Sequence, residues 1–185
     1  KAFDQGVPDI IEDAENWLSP FVRASASRQM THIHALTEQL SLIEHQLNAW
    51  AATEEACQRM TKIPGVGLLT ATYLVASVGN GRQFGTAKQF TAWLGLTPRE
   101  HSSGGKQRLG HISKRGDGYF RYLLVHGARA VASVIERHKE EMPWLDALLK
   151  RRHHNVAVVA QASKTARIMW SMLVHDTEYR TPAVA

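Results

Sequence analysis

A single cysteine, Cys57, stands in 185 residues, which excludes an internal disulfide framework and fits a reducing cytoplasm. Nothing approaches the roughly 18 consecutive apolar residues of a transmembrane helix, so no membrane partner is expected. The start, Lys1-Ala2-Phe3-Asp4, has neither an initiator methionine nor a signal-peptide core, which predicts a segment of a longer chain. Acidic residues are scarce where basic ones gather. Residues 62–98 hold 3 Lys/Arg and no Asp/Glu, and residues 99–129 hold 7 against 2, whereas residues 1–61 hold 4 against 9. The net charge of +5 therefore sits in the middle of the chain. A polyanion partner suits that asymmetry, although a solvated basic face has the same composition. Ten histidines do not make a metal site. His153 and His154 are adjacent, so they do not share a helical face, and no Cys/His cluster has zinc spacing.

What is present is mostly helical, and the chain reads as mainly α. Pro8 suits an early helical position, with Asp9, Glu12, Asp13 and Glu15 near the positive end of the helix dipole. The clearest periodicity follows. Ile33, Leu36, Leu40, Ile43, Leu47 and Trp50 recur at alternating steps of 3 and 4, the spacing of a coiled-coil seam. An internal hairpin against a helix over 8–26 and a seam between two copies both fit it. Helical runs are then predicted from Leu68 to Val78 and from Thr86, as N-cap, through Trp93. A third carries Tyr119/Phe120, Leu123/Leu124, Ala128, Val131 and Ile135. A short one follows Met142-Pro143, and the last carries Val158, Ala162, Ala166, Met169 and Leu173 on one face. Residues 99–112 carry no helical stripe, and Gly104-Gly105 suits the turn of a hairpin between short strands. The predicted division is a helical coiled-coil region over 1–61 and a second domain over 62–185. The second domain holds a helix-hairpin-helix-like motif at 62–95 and a basic, serine-bearing loop at 99–118.

Three segments carry chemistry. In Ile63-Pro64-Gly65-Val66-Gly67, glycines beside a helix start leave backbone N–H groups uncovered, and the helix dipole adds positive potential. Gly65 and Gly67 thereby suit a DNA phosphate, as in helix-hairpin-helix modules, though a purely structural turn reads the same. His101-Ser102-Ser103-Gly104-Gly105-Lys106-Gln107-Arg108 places hydroxyls beside cations. A serine attacks a phosphodiester only when its proton is removed and charge on the non-bridging oxygens is neutralised. Lys106, Arg108, Lys114 and Arg115 supply positive charge nearby, yet a flexible basic loop has the same composition. The stretch lacks an acidic pair for two metals. In Ser113-Lys114-Arg115-Gly116-Asp117-Gly118, Asp117 is placed to cap a helix on which Arg121 and Arg129 share a face.

Together these blocks resemble one family. Ile-Pro-Gly-Val-Gly-Leu-Leu-Thr-Ala precedes Phe-Thr-Ala-Trp-Leu-Gly-Leu-Thr-Pro-Arg-Glu-His-Ser-Ser-Gly-Gly-Lys. Leu-Gly-His-Ile-Ser-Lys-Arg-Gly-Asp and Arg-Tyr-Leu-Leu-Val-His-Gly-Ala-Arg follow in that order. They look like the "IS one-ten" insertion-sequence transposases, with their IS-eleven-eleven-like subgroup and the related Piv pilin-gene invertase. The likeness covers about Ile63 to Arg129, extended by Asn155–Ala160 and Lys164–Arg167.

The resemblance implies a recombinase with a RuvC-like nuclease domain whose DEDD acids bind Mg2+. A coiled coil and a C-terminal domain with an essential serine follow it. It further implies double-stranded DNA and a structured guide (bridge) RNA as partners, and a homodimer or tetramer with composite sites. Carried over, the nucleophile is Ser103, with adjacent Ser102 as fallback. Gly65, Gly67, Lys106, Arg108, Lys114, Arg115 and Arg121 are expected on nucleic-acid phosphates. No RuvC-like βαβ pattern precedes the coiled coil, and Asp9, Glu12, Asp13 and Glu15 cluster on one helix, so they are not the DEDD set. This chain alone is expected to be inactive and nucleoid-associated, with no cofactor of its own. A non-catalytic helix-hairpin-helix binding module and an oligomerisation domain are the rival readings.

Overall fold

The computed structural model describes residues 2–100 and 108–180, and they are mainly helical. Two compact units divide the chain, Lys1–Ala49 and Trp50–Ala185. The first contains helix α1 (Ala2–Glu12) and most of helix α2 (Pro20–Thr53). A helix over 8–26 does not form. Pro8 lies inside α1, and the chain turns between Glu12 and Pro20. Ser19-Pro20 explains the restart: the Ser19 hydroxyl accepts from Val22 N at 3.4 Å, and proline is pre-shaped for the first helical position. Arg23 secures the turn by donating to Ile11 O at 2.6 Å and to Asn16 Oδ1 at 2.5 Å. Along α2 the heptad positions Ile33, Leu36, Leu40 and Ile43 are exposed, Leu40 at 60%. The internal hairpin is therefore not how this seam is covered. Met30 is the one buried residue among those described in this unit.

The second unit begins where the sequence reading still placed the coiled-coil region. Helix α3 (Glu55–Met60) buries Cys57 and Met60 completely in the same core as Leu74, Phe90 and Phe120. That burial, rather than the Pro64-Gly65 break, sets where this unit starts. Helices α4 (Leu68–Val78) and α5 (Ala87–Trp93) follow, the latter capped by the Thr86 side chain accepting from Gln89 N at 3.2 Å. A two-stranded antiparallel sheet, β1 (Pro98–Glu100) and β2 (Leu109–Ile112), pairs Pro98 with Ile112 and Glu100 with Leu109, with a register shift between them. The two strands pair antiparallel as expected, and the Gly104-Gly105 turn lies outside the described residues.

Helix α6 (Gly118–Ser133), a 3-10 turn (Ile135–Arg137), α7 (Pro143–Arg151) and α8 (His154–His175) complete the unit. The stripe Phe120, Leu124, Ala128, Val131 is buried on α6, and Val158, Ala162, Ala166, Met169 on α8. Alanines on both helices let α6 and α8 approach closely, and each large side chain buried there contributes about 2–3 kcal/mol. Trp170 on α8 donates from its indole to Gly81 O at 3.1 Å, tying α8 to the turn after α4. Among the described residues no helix is long and apolar enough to cross a membrane.

Candidate nucleic-acid interface

A tight turn joins α3 to α4, and its two glycines have different tasks. Gly65 has φ +81°, and a Cβ there would meet Gly127 O of α6 at 2.7 Å. Reciprocally, a Cβ on Gly127 would stand 1.9 Å from Gly65 O. Backbone lies on backbone here, which only glycine permits on both sides. Ile63 and Val66 flank the contact and are buried. Gly67 is the exposed one. It is the N-cap of α4, without a side-chain cap, and a Cβ would meet nothing within 4 Å. Of the two, Gly67 has the open surface a phosphate requires.

A second crossing holds the basic connector between β2 and α6. A Cβ on Gly116 would lie 1.8 Å from Trp93 O at the end of α5, and one on Gly95 would lie 2.1 Å from Arg115 O. Backbone bonds reinforce the lock: Ser113 N donates to Thr97 O at 2.9 Å and Lys114 N to Gly95 O at 3.1 Å. Lys114 takes φ 55°, an uncommon left-handed conformation for a lysine. Lys114 and Arg115 project from this fixed strip with exposed side chains, and Arg108 is exposed just before β2. Arg121 is placed differently. Its Nη1 donates to Leu94 O at 2.8 Å, and to Arg115 O and Asp117 O at 3.4 Å each. It braces the connector from below, which leaves Lys114 and Arg115 as the outward cations. Ser102, Ser103 and Lys106 lie outside the described residues.

Asp117 starts α6 as the sequence predicts. Oδ1 accepts from Phe120 N at 2.8 Å, and Oδ2 accepts from the Tyr73 hydroxyl on α4 at 2.8 Å. That bond to a carboxylate pushes the Tyr73 phenol above its usual range, with burial and the Asp117 charge adding to it. Sequence reasoning passed over what surrounds it. Tyr73 meets Tyr119 edge-on at 5.1 Å, Tyr119 stacks on Tyr122 at 6.2 Å, and Tyr122 meets His126 at 4.2 Å. The spacing Tyr119, Tyr122, His126 was readable as a second stripe on α6, opposite Phe120, Leu124 and Ala128, but the apolar stripe dominated the pattern. Elsewhere Lys164 is half-buried, with its ammonium 4.4 Å from the Trp144 ring centre. Burial, then neighbouring Arg167, pulls its amine below the ordinary lysine range. It lines a cavity of about 440 Å³ with Met172 and Tyr179. No three His, Cys, Asp or Glu side chains come together to hold a metal among the described residues.

Residues 57–142, from α3 to the edge of α7, match the transposase family described as IS116/IS110/IS902. A probable family 20 transposase of Pseudomonas aeruginosa is 46% identical over 149 residues, 80% of this chain and 44% of that protein. The transposase for insertion sequence element IS1111A of Coxiella burnetii is 40% identical over 184 residues, 99% of this chain and 50% of that protein. The transposase for insertion sequence element IS1328 of Yersinia enterocolitica is 37% identical over 166 residues, 89% of this chain and 50% of that protein. The chain thus spans about half the length of the curated relatives it matches. The matched stretch contains both glycine crossings and the connector they hold, and the chain belongs to the IS116/IS110/IS902 family of transposases.

Proposed function

We propose that this chain is the DNA-handling part of an insertion-sequence transposase, a site-specific recombinase guided to double-stranded DNA by an RNA. The 40% identity that runs along nearly the whole chain to the IS1111A transposase carries this reading. The fixed strip Ser113–Gly116 supports it, because it presents exposed Lys114 and Arg115 directly after strand β2. In the proposed step the Ser103 hydroxyl attacks a DNA phosphorus. A phosphoserine ester forms, the bond to one deoxyribose oxygen breaks, and that oxygen leaves with the strand. The hydroxyl proton passes to a base as attack proceeds, and the departing oxygen gains a proton. Lys106, Arg108, Lys114 and Arg115 neutralise the non-bridging oxygens. Resealing reverses the same ester exchange.

Among the described residues no acids gather as a magnesium site: Asp13 Oδ1 accepts from Glu15 N at 2.9 Å, and Asp9 and Glu12 are exposed. The magnesium is assigned to a RuvC-like domain. The exposed seam Ile33, Leu36, Leu40, Ile43, with Leu47 and Trp50, is assigned to pairing between copies, as dimer or tetramer. A bacterial cytoplasm, at the nucleoid, is where such a protein works.

In the full-length enzyme with its guide RNA, Ser103→Ala abolishes recombination while DNA binding persists, and Ser102→Ala recombines. Normal recombination by both variants would remove the nucleophile assignment and leave a phosphate clamp. That outcome favours the binding-module reading, to which the uncapped, open α4 start at Gly67 already lends some support. Binding to duplex should weaken steeply with salt, with a log–log slope of roughly −0.9 per phosphate contact.

A further inference from the structure

Helix α6 has two faces, and its core face is filled. On the other, Tyr119 is 51% and Tyr122 54% exposed, and their rings lie nearly parallel, 15° apart. His126 extends the row, and Tyr73 from α4 closes its near end. The solvent face of a helix ordinarily carries charged residues rather than large aromatic rings. The charge around the row has one sign. Lys114 and Arg115 precede it, and exposed Arg129 follows His126 by three residues. Asp117 is the single acid between Arg108 and Ile135, and both of its oxygens are already bonded to Phe120 N and Tyr73. A ligand for this face must therefore offer flat, stackable rings and negative charge together. Unpaired nucleotides do so, whereas in a duplex the base faces are covered by their neighbours.

We propose that Tyr119, Tyr122 and His126 form a stacking platform for unpaired nucleobases, with Lys114, Arg115 and Arg129 on the flanking phosphates. The row from Tyr119 to Arg129 rises about 15 Å along the helix axis, room for about four stacked nucleotides. It begins two residues after Asp117, at the far end of the connector that leaves the serine-bearing segment. This platform deepens the nucleic-acid reading above and rests on it. The strand supplying the bases is DNA melted at the exchange point or a loop of the RNA, which share the chemistry.

The test uses the 185-residue chain and fluorescence anisotropy with a short single-stranded DNA, an RNA of the same sequence, and the DNA duplex. Tyr122→Ala should weaken single-strand binding about fivefold or more, while Tyr122→Phe binds as wild type and duplex affinity stays within about twofold. The strand type that loses more identifies the source. A 2-aminopurine in the preferred strand should be quenched by wild type and not by Tyr122→Ala. Circular dichroism melting of Tyr122→Ala should match wild type, because the side chain is more than half exposed. If Tyr119→Ala and Tyr122→Ala bind single strands as wild type does, while Arg115→Ala weakens them, the platform falls and the nucleic-acid reading stands. If the wild-type chain binds none of the three at any salt concentration, both fall. A Tyr122→Ala variant that changes sedimentation but not oligonucleotide binding makes this face a protein contact and overturns the platform.

Discussion

The two units handle apolar side chains in opposite ways. In the first, α2 carries Ile33, Leu36, Leu40 and Ile43 to solvent. In the second, residues of equal hydrophobicity vanish into one core shared by α3, α4, α5, α6 and α8. Periodicity alone makes the two stripes look alike, since both are regular rows on a helix. What separates them is the supply of neighbours within the same chain. Alanines on α6 and α8 admit close partners, whereas α2 has nothing of the kind along its seam. A stripe therefore states that a face is made to be covered, and leaves open by what.

Truncation should separate the units most sharply. Phe120→Ala removes a fully buried ring and should cost about 4 kcal/mol, read as a lowered urea midpoint of the second unit. Leu40→Ala, at a position 60% exposed, should cost under about 0.5 kcal/mol in dilute protein. If Leu40→Ala instead lowers the melting temperature only at high protein concentration, α2 is paired between copies, as a sedimentation series would show.

Next in size is the packing of backbone on backbone. Gly116→Ala places a methyl against Trp93 O at a φ of +81°, which should cost about 3 kcal/mol and lower the calorimetric midpoint by about 10 °C. Gly67→Ala, with open space around it, should change stability by no more than about 0.5 kcal/mol and lower nucleic-acid affinity if its backbone meets a phosphate. Equal stability losses for the two would show that openness at Gly67 is illusory. Asp117→Ala removes the α6 cap and should cost about 1 kcal/mol by chemical denaturation.

The smallest effect is in pH. Tyr73 donates to the Asp117 carboxylate, so its folded pKa lies above the ordinary value of 10.0. The protonated phenol is the stabilising form. Its contribution is complete below the unfolded value and fades as pH rises through the raised folded value. Urea midpoints should thus fall more for wild type than for Tyr73→Phe between about pH 9 and pH 11, and parallel curves would remove the bond from the account.

Much of the second unit was legible in its residues. Thr86 and Asp117 cap the helices they precede, Phe120, Leu124, Ala128 and Val131 on α6 and Val158, Ala162, Ala166 and Met169 on α8 are buried, and the two predicted strands pair. These depend on local rules: short polar side chains at helix starts, and 3.6-residue spacing. The less legible parts depend on distant contact. Nothing in Ile63-Pro-Gly-Val-Gly tells which glycine leans on Gly127 and which faces outward. Arg121 reads as one more cation of a basic cluster until Leu94 O is seen beneath it. The end of α1 is less legible for a local reason, since no glycine marks the break and the Ser19-Pro20 restart alone signals it. The serine assignment stands on resemblance, since Ser102 and Ser103 lie outside the described residues.

The glycine crossings also set rules for building hybrids between relatives. Gly65 and Gly127 touch through main-chain atoms, as do Gly95 and Arg115, and Gly116 and Trp93. Each pair admits no side chain on the glycine, so exchanging one member for a larger residue strands the other. A junction placed between residues 65 and 127 joins halves whose fit was never selected together, and the losses there will not add like those at distant sites. Junctions belong on either side of that span, with the α6-facing surface of α8 carried along, so that the turn, the connector and their supporting helix travel as one inherited piece.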